Sequence, residues 1–292
     1  MTRRACDPVC DGGLVNLRGS LCYDPRMFNF GSEAAVAAPQ FVPDENTRDW
    51  IATALRDVIA ALGPIAQAPR RVAQPAQHEE PKDLDDLFDF ICATQEHIGQ
   101  DDLEFTLLEM EPNKPPVPPG FEPVGDPAGH LLHTFRRGRD EYLMLVLPQV
   151  FRAVPLVLGG VARELGRLGL MQRALSDDFD KNLLDDVDQE AAAELAGIAL
   201  GMGVWIANGT YMFENSCCGG GCGIDLRSVS VNLSLPEACF ALALDGRRKG
   251  FSRRSLARSL DPTQRTSFKK NWGWAPKAMP ALTAASARAS VR

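Results

Sequence analysis

The segment Arg163-Glu164-Leu165-Gly166-Arg167 has the frame of a metal-binding helix. On a helix, side chains four residues apart lie about 5–6 Å from one another at Cβ, so two imidazoles there can reach one ion at roughly 2 Å. A glutamate directly after the first imidazole is placed to act as general base on a metal-bound water. Here both ligand positions are arginine. A guanidinium is always protonated and has no lone pair for a cation. Two of them would also repel a dication, so no metal is expected at Arg163 and Arg167. Taken alone, the same five residues also read as an amphipathic helix with an exposed Arg-Glu-Arg face.

Other residue groups could carry chemistry. Cys217, Cys218 and Cys222 place three thiols within six residues of a Gly-rich stretch. They are candidate ligands for a structural zinc, with Cys6, Cys10 or Cys22 as a source of the fourth ligand. A disulfide or redox pair, or free thiols, are the alternatives. Cys92 and Cys239 fall in apolar helical patterns and are read as core residues. His130 and His133 are three apart. If both lie on one strand they point to opposite faces, and only a bulge lets them share an ion. His133 then shares a face with Leu131 and Phe135 as a core-edge residue. His78 and His97 are isolated. No Ser-His-Asp signature or Gly-x-x-x-x-Gly-Lys phosphate loop is present. Gly201-Met202-Gly203 lies inside a predicted helix and reads as a packing site. Trp272-Gly273-Trp274 reads as a cap on the C-terminal lobe, with an exposed aromatic anchor as the alternative.

The chain of 292 residues is 45% hydrophobic and 24% charged, enough for one large domain or two small ones. Its net charge of -7 argues against a general nucleic-acid binder. Charge is uneven: residues 177–190 hold seven acids and one lysine, and residues 247–258 hold six basic residues and no acid. Two solvated faces or two docking surfaces fit that pattern. Met1-Thr2-Arg3-Arg4 is followed by no apolar segment of the signal-peptide kind, and no run of about 18 apolar residues is seen. The expectation is a cytoplasmic location, no membrane insertion, and cysteines that are not structural disulfides.

Residues 1–40 read as an irregular, Cys-containing arm. Thr47 is the expected cap of a helix ending at Gly63-Pro64. Residues 64–81 contain four prolines and read as a linker or surface loop. Asp83 caps a second helix from Leu84 to Ile98. A strand is expected around Leu103, Phe105 and Leu107, and a hairpin from the runs flanking Arg136 to Asp140, three strands in all. Residues 112–127, with seven prolines, read as a long loop. A helix is expected after Pro155. A second follows from Gln189 to about Phe213, capped by Asp186 or Asp188 and buried. Ser234 to Glu237 is a capping box for a helix closed by Gly246. A short helix starts at Asp261-Pro262, and residues 275–292 read as a flexible tail. Residues 41–274 form the expected single domain.

This order of helices, strand, hairpin and two consecutive helices resembles the gluzincin-type zinc metallopeptidases. It is more similar to a group of bacterial proteins with the signature Ala-His-Glu-Leu-x-His, then Glu-x-x-x-Asp-Leu, then Gly-x-Gly-x-x-x-Ala-Asn. Matching it are Ala162 to Arg167, Glu190-Ala191-Ala192-Ala193-Glu194-Leu195, and Gly201 to Asn208. The resemblance covers residues 84–260. It implies an α+β, zincin-like fold with a small, mostly antiparallel sheet packed on consecutive helices and a helical C-terminal part. Arg163 and Arg167 occupy the histidine positions, Glu164 the general-base position, and Glu190 the third-ligand position. Glu194 replaces the supporting Asp. Without a metal, Glu164 and Glu190 would be unpaired buried charges, so ion pairs from Arg163 or Arg167 to Glu190 or Glu194 are expected. The implied protein is a metallopeptidase-like pseudoenzyme with no cofactor at the degenerate site. It would bind a protein or peptide partner, and no nucleic acid, as a binding, regulatory or assembly module. A metal-dependent hydrolase using His130, Glu164 and Glu190, and a structural protein with Cys-bound zinc, are the alternatives.

Overall fold

Asp44 opens the first helix, α1 (Glu45–Leu62), by accepting the Thr47 N–H at 2.8 Å. Thr47, the cap expected from sequence, is therefore the donor to the cap one turn inside. The computed structural model describes residues 41–110, 117–176, 179–180, 182–210 and 232–289. The readings of the 1–40 arm, Phe213 and Cys217, Cys218 and Cys222 lie outside these residues. Gly63, at φ 64°, ends α1, and a helical turn, α2 (Pro64–Gln67), follows. Residues 68–81 form no helix or strand and are mostly exposed or half-buried, as a linker or surface loop would be, but the segment touches the core. Ala66 and Val72 are buried, and the Val72 N–H donates to the Gly201 carbonyl at 3.0 Å. The next helix, α3 (Leu84–Ile98), starts at Asp83 and ends at left-handed Gly99, as its spacing predicts.

The sheet has four strands, β1 (Thr106–Glu109), β2 (Glu122–Pro123), β3 (Leu132–Arg137) and β4 (Glu141–Val146), in the order β1-β4-β3-β2. β1 runs parallel to β4, and the other two pairings are antiparallel. The fold is thus α+β with a mixed sheet. β2 was hidden within the proline-rich stretch that reads as a loop. Pro123 is tolerated there because β2 is an edge, where a missing N–H breaks no ladder. Alternation along β4 sends Met144 and Val146 to the main core, and Leu143 and Leu145 to a smaller cluster with Phe135.

Two buried helices cross that core, α4 (Val154–Ala174) and α5 (Gln189–Gly197). Asp188 caps α5, accepting the Glu190 and Ala191 N–H groups at 2.9 and 3.1 Å. The two helices meet backbone to backbone at Gly166 and Gly197. A Cβ at 197 would stand 2.5 Å from the Ala162 carbonyl oxygen, and one at 166 would stand 2.5 Å from the Gly197 nitrogen. This close approach brings Arg167 up to Glu190.

Beyond α5 the chain does not continue as one regular helix, contrary to the expectation from its apolar run. A π-turn, Ile198–Met202, with Gly201 at φ 102°, separates α5 from α6 (Gly203–Gly209). The turn frees carbonyls that other segments take up. Lys249 donates Nζ–H to Ala199 O at 2.6 Å, and Val72 takes Gly201 O. The combined span Gln189–Gly209 is long and apolar enough to cross a membrane by length and composition, and 94% of its apolar window is buried inside the fold.

The capping box of Ser234 and Glu237 opens α7 (Leu235–Arg248) as expected. Gly246 does not close this helix. It lies within the helix, two residues before its end, where a Cβ would come to 2.5 Å from Leu256 Cδ1. After α8 (Arg253–Arg258), the last helix, α9 (Pro262–Ala289), is long where a short helix and a loose tail were expected. It passes through Pro276 and Pro280, and Ala275 and Leu282 are buried. Pro276 removes the N–H that would reach the Trp272 carbonyl. Arg247 fills that gap with two N–H donations to Trp272 O, at 3.0 and 3.3 Å. Arg247→Met should cost about 1–2 kcal/mol in urea unfolding. An unchanged midpoint would show that this carbonyl does not depend on Arg247.

Candidate functional site

Arg163, Glu164 and Arg167 sit mid-helix on α4 and are 6%, 0% and 4% exposed, which rules out a solvent-facing Arg-Glu-Arg stripe. Arg163 donates Nε–H to Glu164 Oε1 at 2.7 Å and Nη2–H to the Leu132 carbonyl on β3 at 2.6 Å. Arg167 donates Nε–H to Glu164 Oε2 at 3.0 Å and Nη2–H to Glu190 Oε2 at 2.5 Å. Glu164 also accepts the Thr134 N–H at 3.0 Å. Thr134 can spare that N–H because the short β2 pairs only with Phe135 and Arg136 of β3.

Glu190, at the positive end of α5, is held from three sides. Besides Arg167, Oε1 accepts the Asp126 N–H at 3.2 Å, and His130 Nε2 lies 3.3 Å from Oε2. The expected ion pair between Arg167 and Glu190 is therefore present. Glu194 departs from the expectation. Its oxygens accept the backbone N–H groups of Asn232 and Leu233, at 3.2 and 2.8 Å, so it anchors the approach to α7.

The two histidines come together, contrary to the strand argument. β3 starts only at Leu132, so His130 lies in the preceding turn and is free to swing to the same side. The rings stack with centroids 5.6 Å apart and planes 3° from parallel, and His133 meets Phe135 edge-on. Pro127 and Gly129 ahead of His130 were the sequence signal for that turn. The roles of Gly125, Thr134 N–H and Leu132 C=O had no such signal, since they depend on which loop and strand face α4.

Electrostatics follow from this packing. Burial by itself raises the Glu164 carboxyl, but the Arg167 and Arg163 guanidiniums reverse it and hold the group well below the usual carboxylate range. Burial likewise opposes ionisation of Glu190, and hydrogen bonds from His130 and Arg167 pull it down to about 2. Burial raises Glu194, with Arg163 and the two backbone donors only partly offsetting it. Burial lowers the His133 ring to about 4, Glu164 opposes this, and the two arginines reinforce it; among the described residues neither ring nitrogen has a hydrogen-bond partner.

A zinc ion of the kind the family resemblance implies does not fit these residues. The two arginines offer no donor pair, and each carboxylate already faces N–H groups from three residues. Among the described residues no group of three His, Cys, Asp or Glu side chains is arranged to hold a metal. Nor can Glu164 serve as a general base, which needs an accessible carboxylate titrating near the working pH.

Gly125 closes the site from above. Its φ is 83°, and a Cβ there would overlap the Glu190 carboxylate and stand 2.7 Å from Arg167 Nη1. Gly125→Ala should therefore lower stability by roughly 2–4 kcal/mol in thermal unfolding. A wild-type melting temperature would mean the loop above Glu190 is not held as described. Beside the network, a cleft of about 490 Å3 is walled by Leu170, Met171, Leu184 and Val187, with Arg136 and Arg167 also lining it. No protein-family model matches the chain, and no curated protein or solved structure matches it either.

Proposed function

We propose that this chain is a metallopeptidase-like pseudoenzyme of zincin-like fold that binds an extended protein segment in the cleft beside β2. One observation carries the reading: the Arg167 guanidinium bridges Glu164 and Glu190, the residues at the general-base and third-ligand positions of the resemblance. The cation that the carboxylates require is supplied by the chain itself. The neighbouring cleft is of ligand size, its apolar walls are joined by Glu122, Arg136, Arg167 and Asp185, and the edge strand β2 runs along it. The test is incubation of the purified protein with a random-sequence peptide library, with retained and cleaved peptides both read by mass spectrometry. Retention without cleavage, unaffected by chelator, is expected. Chelator-sensitive cleavage would revive a metal-dependent hydrolase, and absence of retention would remove the binding role. Zinc that is retained, and is lost when Cys217, Cys218 and Cys222 are replaced by Ser, would favour a structural protein built around a Cys-bound ion.

A further inference from the structure

Charge divides sharply along this chain. Residues 247–292 contain twelve Lys and Arg but one acid, Asp261, whereas the preceding 246 residues contain nineteen and thirty-seven. Three of those cations are exposed on α9. Lys269, Lys270, Gly273, Trp274 and Lys277 are exposed and recur at the three- and four-residue spacing of one helix face. Among the described residues neither Lys270 nor Lys277 has an ion-pair partner, although acids outnumber bases elsewhere in the chain.

These cations are held in place by aromatic rings. Lys277 Nζ lies 4.3 Å and Arg48 Cζ 4.4 Å from the Trp274 ring centroid, and Lys270 Nζ lies 4.6 Å from that of Phe41. The Phe41 backbone is itself pinned to α9, its carbonyl accepting from Ser267 Oγ and Asn271 Nδ2 at 2.8 and 2.9 Å. A lysine stacked on a ring has already given up much of its rotamer freedom, so less is lost when an anion arrives.

We propose that the exposed face of α9 is a docking surface for an acidic polypeptide, with Arg48, Lys270 and Lys277 as its anchor cations. Complementary charge defines the partner. Lys270 and Lys277 are seven residues apart, about 10 Å along the helix axis. An acidic segment in the polyproline II conformation has three residues per turn and rises about 3.1 Å per residue, so carboxylates three residues apart lie on one side, about 9 Å apart, and would meet both. A nucleic acid fits less well, because the Trp274 ring already carries two cations at stacking range, which compete with a base for it.

The test uses the full-length protein and fluorescence anisotropy at low salt, with a labelled dodeca-glutamate peptide against a labelled oligothymidylate of equal charge. The peptide should bind more tightly than the oligonucleotide. Lys270→Glu/Lys277→Glu should weaken the peptide about tenfold with an unchanged melting temperature. Lys82→Glu/Arg139→Glu, an exposed pair on other elements, should change binding by less than about twofold. Absence of peptide binding, tighter oligonucleotide binding, or equal weakening by both double variants would overturn the proposal.

Discussion

Glu164→Gln should be the most damaging single substitution at the site, lowering stability by about 3–5 kcal/mol. For a domain of this size that is a fall in melting temperature on the order of 10 °C. Glu164 is fully buried and takes N–H groups from Arg163, Arg167 and Thr134. An amide of the same shape removes the charge that touches both arginines and turns one oxygen into a donor facing other donors. Replacing the whole group by uncharged residues, as in Arg163→Met/Glu164→Leu/Arg167→Met/Glu190→Gln, should be far milder, because no charge is then stranded. Calorimetry on the two variants decides the matter. If the quadruple variant is the less stable, the network contributes net stability beyond mutual neutralisation; if Glu164→Gln melts with wild type, the network is not what holds α4 to the sheet.

Acid should destabilise the protein in two stages. The His133 ring titrates at about 4 in the folded chain against an ordinary value of 6.5, because of burial first and the neighbouring arginines second. Between those values the unfolded chain binds a proton that the folded chain refuses, so stability falls as pH drops, by about 3 kcal/mol over the window. Below the ordinary carboxylate value of 4.5, Glu164 and Glu190 act in the same direction, since both are held down in the fold. Their contribution is complete above 4.5 and is lost as pH falls toward their folded values. Glu194 works against them. Its raised folded value makes the fold bind a proton sooner than the unfolded chain, which returns a little stability on acidification. Urea unfolding from pH 7.5 to 4 reads the first stage. His133→Phe should flatten it and leave the decline below 4.5; an unchanged slope in that variant would place the titration elsewhere.

Local features were legible in the sequence where short-range rules govern. The caps at Asp83, Asp188 and Ser234, the β3–β4 hairpin and the burial of the helix beginning at Gln189 all follow from residue type and spacing. The rest required knowing what lies opposite. Pro276 reads as the end of a helix until Arg247, 29 positions earlier, supplies the missing donor. The run after Gln189 reads as one helix until Gly201, pressed against the Arg70 carbonyl, shows the turn in it. Pro123 reads as loop until it is seen on the outermost strand.

The sequence by itself determined the chemical character of the site. Two guanidiniums at metal-ligand spacing, with carboxylates at 164, 190 and 194, are ionic in any fold, because side-chain charge is intrinsic. Tertiary structure alone decided which carboxylate serves which purpose. The Gly166–Gly197 contact brings Arg167 to Glu190, the late start of β3 turns His130 toward the same carboxylate, and the Asn232 and Leu233 N–H groups claim Glu194. Pairing energies depend on separations of a few ångströms between segments distant in the chain, and spacing along one helix does not contain them.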